Sequence, residues 1–330
     1  NSTFSWWGAY LNTNSNKRVI YPNKWFGLKK QHCSIVDLFP DEWVGLSESC
    51  PTETINLMGS VCSHLTKPNM RWSTVHNKIS SNLRIVRNEY NFDGISIFPD
   101  DVIESDLVHN VNSSKKIGWL IATREEVPNR YNNFHNYKDK YEFTMTHDSL
   151  LISQYPDKTK LVPYGGCWIK DSNFNLYPKT KSTSMILSSK NYLSGHKIRH
   201  NISNLLQGSG VDFFGRGTNN PIENKEEGLI EYHFSIVVEN SKTDNYFTEK
   251  LLDCFAVGTI PIYWGCGNVG DYFDTNGMLI FNDIEDIHNI IPLLTEEYYK
   301  SKLESISKNL ELSKTYNITE DWIYQNIIKI

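Results

Sequence analysis

The spacing of apolar residues changes twice between positions 234 and 265. Residues 234–238 form a short apolar run rich in β-branched side chains, which is typical of a buried parallel strand. Between 246 and 257 the apolar residues recur at helical spacing, and Gly258 follows as a candidate helix cap. Residues 259–264 are again a short apolar run. The pattern predicts a strand–helix–strand unit, which binds ligands at the carboxyl ends of its strands.

Polar residues occupy the other side of this predicted helix. Tyr246, Glu249, Lys250 and Asp253 share one face, because residues three and four apart are neighbours on a helix. The N-terminus of a helix favours an anion, and a lysine in the first turn adds a formal positive charge. That combination suits a diphosphate. From periodicity alone, solvation of a helix surface by Glu249 and Lys250 is the simpler explanation.

Short apolar runs of the same kind recur elsewhere in the chain. They lie at residues 83–86, 94–98, 117–122, 143–146, 184–187 and 211–214. Polar, turn-rich segments separate the first four runs, as expected for one Rossmann-like half, and a predicted helix at 195–206 lies in a second half. The pattern predicts an α/β fold with two Rossmann-like domains, at 79–170 and 171–330. Residues 51–78 lack periodicity and are predicted to be a linker.

Length and charge restrict the possible functions. With 330 residues the chain is long enough for two domains. A net charge of −5 offers no basic surface, so nucleic acid is not an expected partner. Among the six cysteines there is no CxxC pair, which argues against a zinc site and favours a reducing compartment. Cys254 lies on the apolar stripe of the predicted helix and is expected to be a buried free thiol.

Residues 239–265 carry a motif that resembles a known family. They read ENSKTDNYFTEKLLDCFAVGTIPIYWG and are similar to the donor-binding signature of glycosyltransferase family 10, the α-1,3/α-1,4-fucosyltransferases. Weaker similarity lies in EEVPN at 125–129, GHKIRHNIS at 195–203 and VDFFGRG at 211–217. The resemblance implies a GT-B type fold, in which two Rossmann-like domains face a cleft.

The resemblance also implies roles for five residues of the donor-binding half. Arg199 and Lys250 match the two cations that bind the donor diphosphate, and a guanidinium suits this task because it forks onto phosphate oxygens. Glu249 matches a carboxylate that accepts hydrogen bonds from donor hydroxyls. Asn240 and Tyr246 match positions that line the nucleotide-sugar pocket. Without the resemblance, Arg199 would be assigned to the surface of an amphipathic helix.

A candidate general base lies in the other half. The family has a glutamate two residues before a proline, and Glu126 has this spacing from Pro128. Glu125 is adjacent and leaves the assignment open by one residue. An acidic loop that faces water explains the pair equally well from the sequence alone.

The implied activity is an inverting transfer of fucose from GDP-fucose to a hydroxyl of a glycan acceptor, of α-1,3 type. Such a reaction needs a base for the acceptor proton and cations for the departing diphosphate. With Arg199 and Lys250 supplying the charge, we expect no required cofactor or metal, and a divalent ion at most as a stimulant. Two alternatives stay open, namely another nucleotide sugar on the same scaffold and a non-catalytic glycan-binding relic.

The first fifty residues resemble a different family. Residues 1–27 read NSTFSWWGAYLNTNSNKRVIYPNKWFG and are similar to the C-terminal part of the family 11 α-1,2-fucosyltransferases, whose arginine-rich HxRR motif is missing from the chain. We therefore predict that residues 1–50 are the truncated tail of a second transferase domain. No run approaches the roughly 20 apolar residues of a membrane span, and there is no signal peptide. We expect a soluble protein of a bacterial or virus-infected cytoplasm, with an anchor upstream of Asn1 left open.

Overall fold

Two parallel β-sheets organise the molecule. The computed structural model describes residues 3–14, 17, 19–22, 40, 43–46, 53–59 and 83–329. Its N-terminal part contains helix α1 (Thr3–Leu11) and strands β1 (Ile20–Pro22) and β2 (Val44–Leu46). These two strands pair with each other in parallel, as a small sheet of their own.

The first large sheet has six parallel strands in the order β4-β3-β5-β6-β7-β8. Its strands are β3 (Glu53–Leu57), β4 (Leu83–Arg87), β5 (Ile95–Pro99), β6 (Lys115–Leu120), β7 (Phe143–Thr146) and β8 (Thr159–Leu161). The helices in this part are α2 (Leu107–Asn110), α3 (Pro128–Asn132), α4 (Phe134–Tyr137) and α5 (Ser149–Gln154). Apolar clusters on this sheet include the buried residues Ile55, Ile97 and Trp119.

Strand β3 corrects the predicted linker. Residues 53–57 pair with both β4 and β5 inside the first sheet, so the assignment of residues 51–78 to a linker is wrong at this point. The polar residues Glu53, Thr54 and Asn56 make up more than half of this strand and hide its apolar pattern, although Ile55 and Leu57 are buried. Residues 60–78 lie outside the described residues.

The second large sheet has five parallel strands in the order β10-β9-β11-β12-β13. Its strands are β9 (Lys181–Ile186), β10 (Val211–Phe214), β11 (Tyr232–Val238), β12 (Ile260–Trp264) and β13 (Leu279–Ile280). The helices are α6 (Ser194–Leu205), α7 (Glu249–Ala256), α8 (Asp286–Ile290), α9 (Glu296–Ser301), α10 (Leu303–Tyr316) and α11 (Thr319–Ile323). From β9 the chain adds β10 on one side of the sheet and then returns to add β11, β12 and β13 on the other side, so the switch point of this sheet lies between β9 and β11. Doubly wound sheets bind ligands at the carboxyl ends of the two strands that flank such a point.

The sequence prediction of two Rossmann-like sheets is confirmed. The predicted boundary at 170/171 falls between the last strand of the first sheet and the first strand of the second, and as a domain boundary it stays a prediction. Residues 296–316 form two helices, α9 and α10, separated at Lys302. Strand β8 was not predicted, because it is only three residues long and two of them are exposed.

The C-terminal tail returns to the first sheet. Ile323 and Tyr324 are buried in the same apolar cluster as Ile55 and Trp119. A π-helical segment, Tyr324–Ile328, continues α11 there. The backbone N–H of Gly166 donates to the carbonyl oxygen of Tyr316 at 2.8 Å, which also joins the segment between the sheets to α10.

Candidate active site

Helix α6 approaches the end of β11 very closely. The backbone N–H of Gly195 donates to the carbonyl oxygen of Asn240 at 3.0 Å, and a Cβ atom at position 195 would overlap the carbonyl oxygen of Glu239. Only glycine fits this contact, which explains the glycine in GHKIRHN. The close approach brings the first turns of α6 to the switch point between β9 and β11.

Arg199 of α6 is held at this switch point. Its Nε donates to the carbonyl oxygen of Val238 at 2.9 Å, and its Nη2 donates to Oδ1 of Asn240 at 2.7 Å. Among the described residues, no hydrogen bond uses Nη1. Arg199 is only 6% exposed, so its assignment from periodicity to the helix surface is wrong. The guanidinium is oriented by the protein while part of its fork stays available for an anion.

The first turn of helix α7 is fixed by a buried carboxylate. Glu239 accepts the backbone N–H of Thr248 on Oε1 at 2.9 Å and the hydroxyl of Thr248 on Oε2 at 2.6 Å. The Thr248 hydroxyl oxygen also accepts from the backbone N–H of Lys250 at 3.3 Å, which caps the helix. Glu239 was not among the predicted site residues, because a single glutamate at the end of a strand does not indicate that it will bind Thr248 nine residues further along the chain.

Lys250 lies between two carboxylates. Its Nζ is 3.1 Å from Oε1 of Glu249 and 3.5 Å from Oε2 of Glu239. The side chains of Lys250 and Glu249 are only 22% and 15% exposed, so solvation of a helix surface does not explain them. Burial alone lowers the pKa of Lys250, but the two carboxylates outweigh burial and raise it. Burial alone raises the pKa of Glu249, but Lys250 and then Lys225 outweigh burial and lower it. Both side chains are therefore charged at neutral pH.

Tyr246 lies in the cleft between the two sheets. Its ring stacks on that of Tyr164 at 6.0 Å between centroids, and the ring of His147, which follows β7, is 4.9 Å away. Burial raises the pKa of Tyr246 well above its usual value, and the negative charges of Glu239 and Glu126 add to this effect. Tyr246 is thus a neutral hydroxyl within electrostatic reach of both halves of the cleft.

His147 is a residue that sequence analysis missed. It is 1% exposed, its Nε2 has no hydrogen-bond partner among the described residues, and burial lowers its pKa to about 4. The imidazole is therefore neutral at physiological pH. His147 directly follows the apolar run 143–146, and this position could have indicated a site residue. In parallel sheets, ligands bind at the carboxyl ends of the strands.

Glu126 follows strand β6 in the first sheet. Its backbone N–H donates to the carbonyl oxygen of Thr123 at 3.0 Å, which closes a tight turn. In the described part of the chain its carboxylate makes no hydrogen bond. The negative charge of Glu126 contributes to the raised pKa values of both Tyr246 and Asp100.

Asp100 is a second carboxyl at this edge, and sequence analysis gave it no role. It follows β5, and its Oδ2 accepts the backbone N–H groups of Ile121 at 3.2 Å and Ala122 at 2.8 Å. Oδ1 is buried without a hydrogen-bond partner, with Nη1 of Arg130 at 3.9 Å. Burial raises the pKa of Asp100 to about 7, and the charge of Glu126 contributes to the rise.

Glu125 has a different environment from its neighbour. Its Oε1 accepts the backbone N–H of Ser194 at 2.7 Å, and its Oε2 accepts the hydroxyl of Ser194 at 2.8 Å. Ser194 is the first residue of α6, in the second sheet's half of the molecule. The two adjacent glutamates, which the sequence did not separate, are thus distinguished by geometry.

A small cavity lies below the first turn of α7. It has a volume of about 30 Å³ and is bordered by Lys225, Lys250 and Asp253, among others. Oδ2 of Asp253 is buried without a hydrogen-bond partner, and burial raises the pKa of this carboxyl to about 6. The space is large enough for a water molecule.

The described ranges contain neither a candidate metal site nor a membrane-spanning helix. Between residues 83 and 329 and in the shorter described segments, no group of three or more His, Cys, Asp or Glu side chains has metal-binding geometry. The prediction that no metal is required stays a prediction. Within the same residues, none of the helices has the length and apolarity needed to span a membrane. Cys254 is a buried free thiol, as predicted.

Two Rossmann-like sheets with a charged cleft at their carboxyl ends define the GT-B class of glycosyltransferase folds. Residues 176–316 match the family model of the glycosyltransferase family 10 (fucosyltransferase) C-terminal domain. The matched range contains five of the six predicted site residues. The match begins after residue 175, so the family 11 resemblance of residues 1–50 stays a prediction.

Curated relatives match short stretches of the chain. The α-(1,3)-fucosyltransferase FucT of Helicobacter pylori is 34% identical over 70 residues, which are 21% of this chain and 15% of that protein. The α-(1,3)-fucosyltransferase B of Drosophila melanogaster is 29% identical over 101 residues, which are 30% of this chain and 23% of that protein. The chain thus matches less than a quarter of the length of these two relatives.

Solved structures support the fold over most of the chain. A crystal structure of an α1,3-fucosyltransferase has a TM-score of 0.52 and 17% identity, and it covers 82% of this chain and 91% of its own. The crystal structure of an α1,3-fucosyltransferase with GDP-fucose has a TM-score of 0.50 at the same identity and covers 80% and 90%. At this identity the similarity establishes the GT-B fold.

Proposed function

We propose that this protein is an inverting fucosyltransferase that transfers fucose from GDP-fucose to a hydroxyl of a glycan acceptor, of α-1,3 type. The observation that carries the proposal is the meeting of two cations, Arg199 and Lys250, at the switch point of the second sheet. Glu126 faces this point from the first sheet, close enough for its charge to act on Tyr246. The names of the matched relatives and of the matched family domain support the donor.

In the proposed reaction, Arg199 and Lys250 bind the donor diphosphate. The available Nη1 of Arg199 and the ammonium of Lys250 stabilise the negative charge that develops on GDP as the bond to fucose breaks. Glu249 accepts hydrogen bonds from donor hydroxyls, for which an ionised carboxylate is suited. Asn240 and Tyr246 border the donor pocket.

Glu126 acts as the general base. Its carboxylate takes the proton of the acceptor hydroxyl while that oxygen attacks the anomeric carbon and GDP departs from the opposite face. A base must be free to receive a proton, and Glu126 has no competing hydrogen bond among the described residues. Glu125 is already occupied by Ser194, so we assign the base to Glu126.

Another nucleotide sugar on the same scaffold remains the second candidate. Cations that bind a diphosphate do not distinguish guanine from uracil, and neither does a carboxylate that binds hydroxyls. A glycan-binding relic is less well supported, because such a protein would need neither Arg199 nor Lys250.

We also propose that residues 1–50 are the tail of a family 11-like domain. In the described part of this segment, β1 and β2 pair with each other and with neither large sheet, as expected for a separate unit. The rest of the support is the SWWGAY motif and the residues that follow it.

Titration of the protein with GDP tests the donor. We expect GDP to bind, and Arg199→Ala and Lys250→Ala each to weaken binding by roughly 1.5–3 kcal/mol, because each removes a charge-assisted contact. Isothermal titration calorimetry measures both quantities directly. Lys197→Ala is the matched control, since Lys197 is an exposed cation on the same helix as Arg199.

UDP, CMP and dTDP are titrated in parallel. Strong binding of UDP with no binding of GDP would refute the fucosyltransferase assignment and favour the second candidate. Loss of affinity in the Lys197 variant equal to that in the Arg199 variant would show that overall charge, not the proposed site, governs binding.

A further inference from the structure

The loop that carries Glu126 is attached to the second sheet at two points. The hydroxyl groups of Thr123 and Ser241 are 2.9 Å apart, and Glu125 binds Ser194 through both carboxylate oxygens. Ser194 lies after strand β9, and Ser241 lies after strand β11. Since β9 and β11 are the neighbours that flank the switch point, the two attachments stand on either side of the donor crevice.

The contact between Glu125 and Ser194 repeats a contact inside the second sheet's half. Glu239 binds the backbone N–H and the hydroxyl of Thr248 at the start of α7 in the same two-point manner. Glu125 does the same for the first residue of α6, but it comes from the other half of the molecule. In both cases a carboxylate satisfies a backbone N–H that has no partner within its helix.

The charge and the hydrogen bonds of Glu125 suit it to hold the Glu126 loop against helix α6. Burial alone raises its pKa, but the hydrogen bonds from Ser194 outweigh burial and lower the pKa below its ordinary value. The carboxylate is therefore ionised at neutral pH, and both of its oxygens are engaged. Its neighbour Glu126 lies in the turn that Thr123 closes and directly follows the second attachment point in the chain.

We propose that Glu125 is a positioning residue, which together with Thr123 fixes the loop across the donor crevice and so sets the place of Glu126 relative to the donor. This inference rests on the proposed function, in which Glu126 is the base. Misplacement of a reacting group by about 1 Å can cost on the order of 100-fold in rate, so a contact that touches no substrate still affects turnover.

Substitutions at Glu125 and Ser194 test this role. Glu125→Ala removes both acceptors, and we expect kcat to fall by roughly 10–100-fold while the Kd for GDP changes less than about twofold. Glu125→Gln should be mild, since the amide keeps one acceptor oxygen and its N–H can donate to the Ser194 hydroxyl. A general base at this position would instead lose about 10²–10⁴-fold in the Gln variant.

A double-mutant cycle identifies the partner. Ser194→Ala removes only the hydroxyl, so we expect a smaller loss than in Glu125→Ala, and the double variant should be no slower than Glu125→Ala alone. The control is Glu142→Gln, because Glu142 is an exposed glutamate that pairs with Lys115 before β7, away from the cleft. It should have wild-type kcat.

Three outcomes would overturn the inference. They are wild-type kcat in Glu125→Ala, losses that multiply in the double variant, and a Kd for GDP that weakens in parallel with kcat. If the wild-type protein binds GDP and turns over, these outcomes refute the role of Glu125 alone. If the wild-type protein neither binds GDP nor transfers sugar, the proposed function fails and this inference fails with it.

Discussion

The two sheets present their carboxyl ends to the same cleft but use charge in opposite ways. At the mouth of the second sheet, Lys250 is an ammonium held between two carboxylates, Glu239 and Glu249. At the first sheet, Asp100 keeps a buried oxygen without a hydrogen-bond partner among the described residues, and in the same part of the chain the Glu126 carboxylate makes no hydrogen bond. Opposite charges keep Lys250 and Glu249 ionised near neutral pH, whereas burial outweighs the charge of Arg130 at Asp100, so that this carboxyl titrates there.

The difference fits two tasks. A diphosphate has a fixed charge, so its site benefits from cations and dipoles held in place before the ligand arrives. An acceptor hydroxyl must lose a proton, so its side of the cleft benefits from carboxyls with free proton-binding capacity. An unpartnered buried polar atom costs stability, and such atoms concentrate where function requires them. The contrast therefore supports a donor side in the second sheet and a proton-handling side in the first.

The largest expected effect is on the proton-handling side. Glu126→Gln keeps the size of the side chain but cannot take a proton, so kcat should fall by about 10²–10⁴-fold. The Kd for GDP should change little, because Glu126 belongs to the opposite sheet from Arg199 and Lys250. Steady-state kinetics at saturating donor, with calorimetry for GDP, measure both.

Glu125→Gln is the matched comparison for this prediction. Near-normal kcat in the Glu126 variant, with collapse in the Glu125 variant, would move the base by one residue. Normal turnover in both variants would remove this loop from the mechanism and leave the contrast between the two sheets without a catalytic meaning.

The next effect concerns Asp100 and stability. Its raised folded-state pKa, about 7 by burial, means that the unfolded chain releases this proton first as pH rises from about 4 to about 7. The free energy of unfolding therefore falls across that range, and above it the loss caused by this group stays constant. Asp100→Asn cannot ionise and should gain stability relative to wild type between pH 5 and pH 8, by at most about 3 kcal/mol.

Melting temperatures of both proteins at the two pH values measure this gain. Asp139→Asn is the control, because hydrogen bonds from Lys138 and Lys158 lower the pKa of that exposed carboxyl. Asp139 is therefore ionised in the folded and unfolded states at both pH values, and the difference between this variant and wild type should be the same at pH 5 and pH 8. A difference between Asp100→Asn and wild type that is equal at pH 5 and pH 8 would show that Asp100 is ionised throughout and would weaken the contrast.

Sequence patterns predicted the second sheet better than the first. The unit at 234–264 was foreseen because β11, α7 and β12 are almost wholly buried and their apolar spacing is undiluted. The pattern failed at Arg199, since hydrophobic periodicity cannot reveal a buried cation that binds backbone oxygen. It failed at β3 because polar residues interrupt the run.

Pairings across the cleft could not be predicted. The contact of Glu125 with Ser194 joins residues 69 positions apart in the chain, and the ring contact of His147 with Tyr246 joins two different sheets. Each depends on how the two sheets pack, which neither local spacing nor a motif specifies. The donor motif named Asn240, Glu249 and Lys250, but it gave no sign that Glu239 contacts Thr248 and Lys250.

The smallest effect is expected from removal of residues 1–50. The proposed donor residues and Glu126 lie far beyond this segment, and β1 and β2 pair with neither large sheet. The shortened protein should keep its circular dichroism, its affinity for GDP and its turnover.

Removal of residues 1–78 should behave differently, because it deletes β3 from between β4 and β5 together with the buried side chains of Ile55 and Leu57. Without that strand the first sheet loses its connection to β4, so we expect a protein that fails to fold or aggregates. A folded but inactive protein after removal of residues 1–50 would place that segment in the active unit. Normal folding after removal of residues 1–78 would show that the first sheet does not depend on β3.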